Sequence, residues 1–186
     1  MSFLPKDYKA PKSDSNYMRF EEGENKFRIL SDAIVGWEGW KTEDDGTKRP
    51  IRIPADETLN VDDVDEEDKI KHFWAFVVWN YAQEKIQILE VTQRGIQKSL
   101  NALERSKDWG DIKTFDILVT RSGKTMQDTE YSTNPVPPKP IDREIVKKYE
   151  EMQIDLNALF KGDDPFAKDE KKKQDNFINE VSKAIS

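Results

Sequence analysis

The stretch Lys71 to Tyr81, KHFWAFVVWNY, constrains the fold more than any other part of the chain. With the two-residue period of an extended strand, His72, Trp74, Phe76 and Val78 share one face. Phe73, Ala75, Val77, Trp79 and Tyr81 share the other. Both faces are apolar or aromatic, so this is a central strand with material packed on each side. Asn80 to Lys85 turns the chain, and Lys85 to Val91 (KIQILEV) returns as its partner.

Other elements arrange themselves around that strand. Lys26 to Val35 alternates as a strand, with Phe27 and Ile29 on one face and Lys26 and Arg28 on the other. Trp37-Glu38-Gly39-Trp40 reads as a Gly-rich turn, and Glu43-Asp44-Asp45-Gly46 as a second turn. Lys48 to Ile53 reads as an edge strand, because Pro50 has no amide to give a central ladder. Thr92 is placed to cap a helix over Gln93 to Arg105, with Ile96, Leu100 and Leu103 on one stripe. Thr114 to Arg121 turns Phe115, Ile117 and Val119 inward, and Ser122-Gly123-Lys124 leads back through Gln127 to Thr133.

Asn134 to Pro140 (NPVPPKP) holds four prolines and predicts a domain boundary. Helical patterns follow over Ile141 to Phe160 and Asp175 to Ile185, separated by Gly162-Asp163-Asp164-Pro165. Strands, a helix and a closing hairpin, in that order, predict a mainly β fold. The best match is an OB-type five-stranded barrel with one inserted helix, although a sandwich accommodates the same strands. The expected organisation is an arm over 1–16, an OB-type core over 17–140 and a C-terminal helical, acidic tail over 141–186.

Composition removes several function classes. With no Cys and the single His72, the chain has no thiol chemistry, no Cys-ligated metal and no His-rich site. No apolar run approaches a membrane span and the first residues carry no apolar signal region, so a soluble cytoplasmic protein is expected. Gly123-Lys124-Thr125 ends like a phosphate-binding loop, but Leu118 stands where its first Gly belongs. There is no nucleophile elbow, and the acidic run lacks calcium-loop spacing. No enzyme activity, cofactor or metal is expected.

A net charge of -7 argues against nucleic acid until its distribution is considered. Asp56 to Asp68 holds eight acids and no base, so that loop alone accounts for the deficit. Lys71 to Tyr149 carries 13 bases and 10 acids. Single-strand binding needs flat rings for bases and cations for phosphates. Candidates for that role are Trp37, Trp40, Arg52, Lys71, Trp79, Tyr81, Arg94, Lys98, Arg121 and Lys124, while Trp74 and Phe76 are assigned to the core. For any one aromatic, ordinary core packing is an equal reading.

The stretches YMRFEEGENKFRILSDAIVGWEGW, KHFWAFVVWNYAQEKIQILEVTQRGIQKSL and DWGDIKTFDILVTRSGKTMQDTEYSTNPVPPKP together resemble bacteriophage single-stranded DNA-binding proteins of the helix-destabilising, replication-accessory type. The likeness covers about Tyr17 to Ile141. It implies an OB-fold core and cooperative, largely sequence-independent binding of single-stranded DNA in phage replication, recombination and repair, in the cytoplasm of an infected bacterium. It also places Trp74, Trp79, Tyr81, Arg121 and Lys124 on or beside the DNA groove. Some members hold a structural zinc through Cys and His, which this chain cannot do.

The resemblance further implies an acidic tail that recruits replication or recombination proteins. Asp163, Asp164 and Phe166 are the partner-binding candidates, although they are not terminal and Lys171 to Lys173 follow them. The acidic loop is either an internal DNA mimic or a solubilising loop. The chief alternative function is an OB-type protein–protein adaptor of a phage replication or recombination complex. A weaker one is a metal-dependent nuclease built on Asp62, Asp63 and Asp65.

Overall fold

In the computed structural model, which describes residues 14–66 and 69–186, Lys71–Asn80 forms the central strand β5 of an eight-stranded mixed sheet. The others are β1 (Tyr17–Met18), β2 (Gly23–Ile29), β3 (Ile34–Thr42), β4 (Lys48–Pro54), β6 (Lys85–Val91), β7 (Asp116–Ser122) and β8 (Glu130–Pro135). Four helices accompany them: α1 (Arg94–Arg105), α2 (Arg143–Met152), α3 (Ala158–Lys161) and α4 (Ala167–Ile185). Residues 1–13 of the expected arm, with Glu67 and Asp68 of the acidic run, lie outside the described residues.

One edge of β5 pairs with β6 from Trp74 to Asn80. The other edge is shared: β2 pairs with Val78 to Asn80, and β3 with Lys71 to Ala75. The expected single strand Lys26 to Val35 is therefore two strands split by a bulge. Leu30 donates its amide to the Val77 carbonyl at 2.9 Å, and the Ser31 hydroxyl accepts the Val77 amide at 2.8 Å. A side chain thus completes the ladder where the backbone bends away. β2 continues to β7 and β7 to β8, while β1 adds to β6 in parallel. The hydrogen-bonded path ends at β1 and β8, so the sheet is open where five strands closed into a barrel were expected.

Trp37 to Trp40 lies inside β3 rather than in a turn. The two glycines are there for space. A Cβ on Gly36 would collide with the Ile53 carbonyl and lie 2.9 Å from the rings of Phe73 and Phe160. One on Gly39 would strike Val64 and come within 3.1 Å of Leu59.

The two apolar faces of β5 have separate cores. On one side, Phe76 and Val78 meet Phe27, Leu89, Phe115, Ile117 and Val119, closed off by Ile96 and Leu100 of α1. On the other, Phe73, Ala75, Val77, Ile86 and Ile88 are covered by Met152, Leu159 and Phe166. The segment expected as a separate tail therefore builds the second core. Burying each such side chain contributes about 1.5–3 kcal/mol, enough to hold 149–166 on the sheet.

The proline-rich stretch is held down as well. Arg28 donates to the Lys139 carbonyl at 2.9 Å, and the Val136 amide to the Asp116 carbonyl at 2.9 Å. α4 runs on beyond the second core with its side chains exposed, apart from Asp169. Among the described residues, no helix is long and apolar enough to cross a membrane.

Candidate nucleic-acid interface

The open side of the sheet carries a groove of about 420 Å³, lined by residues from β1, the turn after it, β3, β4, β6 and β8. Trp40, 45 % exposed, stands on one wall, with Phe20 and Tyr131 on another. Phe20 lies between core and groove, its ring 5.7 Å from Tyr131 and 6.5 Å from Phe27. Arg19 lines the groove and is exposed. Arg121 donates to the Phe20 carbonyl at 3.0 Å, which ties β7 to this wall.

Arg52 also lines the groove, but its charge is committed. Its Nε sits 2.7 Å from Glu38 and 2.8 Å from Glu90, and a second nitrogen contacts Glu90 at 3.0 Å. Burial, followed by the Glu90 carboxylate beside it, pushes Glu38 up to about 7, against the pull of Arg52. The groove is therefore less negative in mild acid than in mild base. Arg52 organises the site rather than standing ready as a phosphate ligand.

The other expected residues are dispersed. Trp37 (37 % exposed) projects from the opposite face of β3, its ring 5.0 Å from His72. Lys71 is exposed at the start of β5, and Tyr81 follows its far end, about 33 Å away along an extended chain. Trp79 packs against the second core and Trp74 against the first, the latter as assigned. Arg94 and Lys98 are exposed on α1, where Gln93, just before Arg94, reaches the groove. Lys124 is exposed on the β7–β8 connection.

Tyr81 belongs to a different cluster. It donates to Asp116 at 2.8 Å, and Asp116 also accepts from Arg28 at 2.7 Å. Lys26 and Lys139 flank the Tyr81 ring at 4.8 and 5.6 Å. Burial opposes the Asp116 charge, but the Tyr81 and Arg28 hydrogen bonds win and hold its carboxyl below the usual range. Burial and then the Asp116 hydrogen bond drive the Tyr81 hydroxyl up to about 12.

Phe166 is 2 % exposed and meets the Tyr17 ring edge-on at 6.5 Å, so it anchors the chain to its own sheet and offers nothing to a partner. Asp164 turns the chain into that position by accepting the Phe166 amide at 2.9 Å, while Asp163 is exposed. The acidic loop is pinned too. Leu59 and Val64 are buried over Gly39, and Asp65 accepts from Thr42 at 2.6 Å. Among the described residues, no group of three or more His, Cys, Asp or Glu is arranged to hold a metal ion.

Arg19, Phe20 and Tyr131 were missed in the sequence. The Arg19-Phe20 pair shows the basic–aromatic pattern sought elsewhere, and Tyr131 sits in a recognised strand; their meeting depends on where β1 and β8 lie. Compared with known proteins, the chain matches no family model, no curated protein and no solved structure.

Proposed function

We propose that the chain binds single-stranded DNA without enzymatic activity, in the groove between Trp40 and Tyr131. The observation that carries this reading is the meeting of Trp40, Phe20 and Tyr131 with Arg19 along one open groove, with Arg121 tied to its wall. Bases stack on the rings, each stack contributing roughly 1–3 kcal/mol, and phosphates meet the guanidinium groups.

We read the connectivity as OB-type. Strands β2, β5, β6, β7 and β8, with α1 between β6 and β7, follow that strand order, left open between β6 and β8. The β3–β4 hairpin is then an insertion after the first strand. An OB-type barrel takes oligonucleotides across its second and third strands, between the loops after its first and fourth. Trp40, from the hairpin, and Tyr131, just after the β7–β8 turn, come from those two loop regions, while Met152, Leu159 and Phe166 cover the outer face of β5 and β6 and leave the groove beside it.

By holding only the melted strand, such a protein removes hairpins by mass action. That suits phage replication, recombination and repair in the host cytoplasm, as the sequence resemblance implies. The second reading, a protein–protein adaptor, is favoured by the exposed apolar residues of α4.

Titration of intrinsic Trp fluorescence with oligo(dT), at low salt and at about 200 mM salt, tests the proposal. Quenching that weakens with salt, is far smaller with duplex DNA and is lost in Trp40→Ala supports it. No quenching and no mobility shift at low salt would sink it.

A further inference from the structure

A cleft of about 660 Å³, larger than the groove and separate from it, opens where the bulge between β2 and β3 leaves the sheet. Trp74, Phe76, Leu100 and Ile112 give it an apolar lining. Asp32, Glu104 and Asp111 line it as well, with one base, Lys113, which is already paired with Asp32. Arg105 and Lys107, close by in sequence, are not among the lining residues.

The apolar surface continues past the cleft. In the register of β3 on β5, Val35 lies beside Trp74 and Trp37 beside His72, so these four share one face. Val35 and Trp37 are 36 % and 37 % exposed, which makes a ledge leading out of the cleft. Gly39, next on that face, lies under Leu59 and Val64, which pin the acidic loop at the far end of the ledge. Asp56, Glu57, Asp62 and Asp63 of the loop are exposed. The bases on that side are engaged by other acids of the same loop: Lys41 and Lys48 lower the pKa of Asp65, and Lys69 meets Glu66 at 2.8 Å. An apolar strip thus runs between two acidic ends, on the face of β3 turned away from Trp40.

We propose that this strip docks a basic segment of a partner protein, with an aromatic or aliphatic anchor in the cleft and lysines or arginines to either side of it. Carboxylates at both ends repel a phosphate backbone, so the occupant is not nucleic acid. They draw in and orient a cationic chain, while the apolar strip between them supplies the area that is buried on docking. A contiguous exposed apolar surface of this kind marks an interaction site. Because the strip and the groove lie on opposite faces of β3, partner and DNA strand are held together without competing. The docking itself does not rest on DNA binding.

Nitrogen-edited NMR of the full chain without DNA, titrated at low salt with a short amphipathic peptide of leucine and lysine, tests it. The same peptide with glutamate in place of lysine, and a peptide of lysine alone, serve as controls. The leucine–lysine peptide is expected to move the signals of Val35, Trp37, His72, Trp74 and Ile112, and each control to bind at least about tenfold more weakly, a difference of about 1.4 kcal/mol. Two variants at exposed positions separate the contributions: Trp37→Ala removes the ledge, and Glu104→Lys with Asp63→Lys reverses the charge at both ends. Each should weaken the peptide about tenfold or more while the remaining spectrum stays in place. An unchanged wild-type spectrum overturns the proposal, as do shifts that fall on Trp40 and Tyr131 instead. Equal binding of the glutamate peptide, or variants that bind as wild type does, overturns it too.

Discussion

At the scale of single residues, Trp37 and Trp40 separate the binding proposal from simple aromatic abundance. They lie three residues apart in one strand and face opposite ways. Trp40→Ala is expected to weaken oligo(dT) binding about 5- to 150-fold, the loss of one stack, while Trp37→Ala stays within about twofold. Fluorescence anisotropy of labelled oligo(dT) measures both; equal losses would put the strand elsewhere.

Glu38 gives a second prediction at this scale. Its folded pKa of about 7 stands above its ordinary 4.5, so between those values the folded protein holds a proton that the unfolded chain has released. Stability from this group therefore falls as pH rises from about 4.5 to 7. Glu38→Gln should flatten that slope in urea titrations across the window. Oligo(dT) affinity should fall as pH rises through 7 in wild type and change less in the variant.

At the scale of elements, strand patterning was readable because it is local. The two faces of β5, the stripe of α1 and the inward Phe115, Ile117 and Val119 all follow from periodicity. The bulge was not readable, since it depends on Ser31 meeting Val77 across 46 positions. Nor was the exchange between Arg28 and Asp116, which are 88 positions apart. Alternation put Arg28 on a face without showing that the 136–140 strap would bury it. Asp116→Ala should cost about 3–5 kcal/mol in urea unfolding, because it leaves Arg28 buried without its counter-ion. A cost below about 1 kcal/mol would show that the backbone carbonyls of Lys113 and Lys139 satisfy Arg28 without Asp116.

At the scale of the whole molecule, the sequence boundary at 134–140 misplaced the chain's last quarter. Prolines mark a linker only when nothing grips them, and here Arg28 does. Gly162-Asp163-Asp164-Pro165 was read as a break, and it is one, but it serves to deliver Phe166 to the sheet. Phe166→Ala should cost about 3–5 kcal/mol by thermal or urea unfolding. A chain ending at residue 140 is expected to bind a hydrophobic dye and lose its cooperative transition; a sharp transition would restore the two-domain organisation. The salt dependence of binding also belongs here. With Arg19 in the groove, Arg121 tied to its wall and Arg52 neutralised, about two phosphates are met. The expected slope of log affinity against log salt is about -1.4.

The second core has a consequence for how the protein is made. β5 and β6 are complete once residue 91 has been added, but the side chains that cover their outer face end at Phe166. At about 5–20 residues per second, the interval is roughly 4–15 s. Throughout it the nascent chain displays Phe73, Val77, Ile86 and Ile88 with no cover of its own. Holding chaperones have that window in which to act, and a slowly translated message lengthens it.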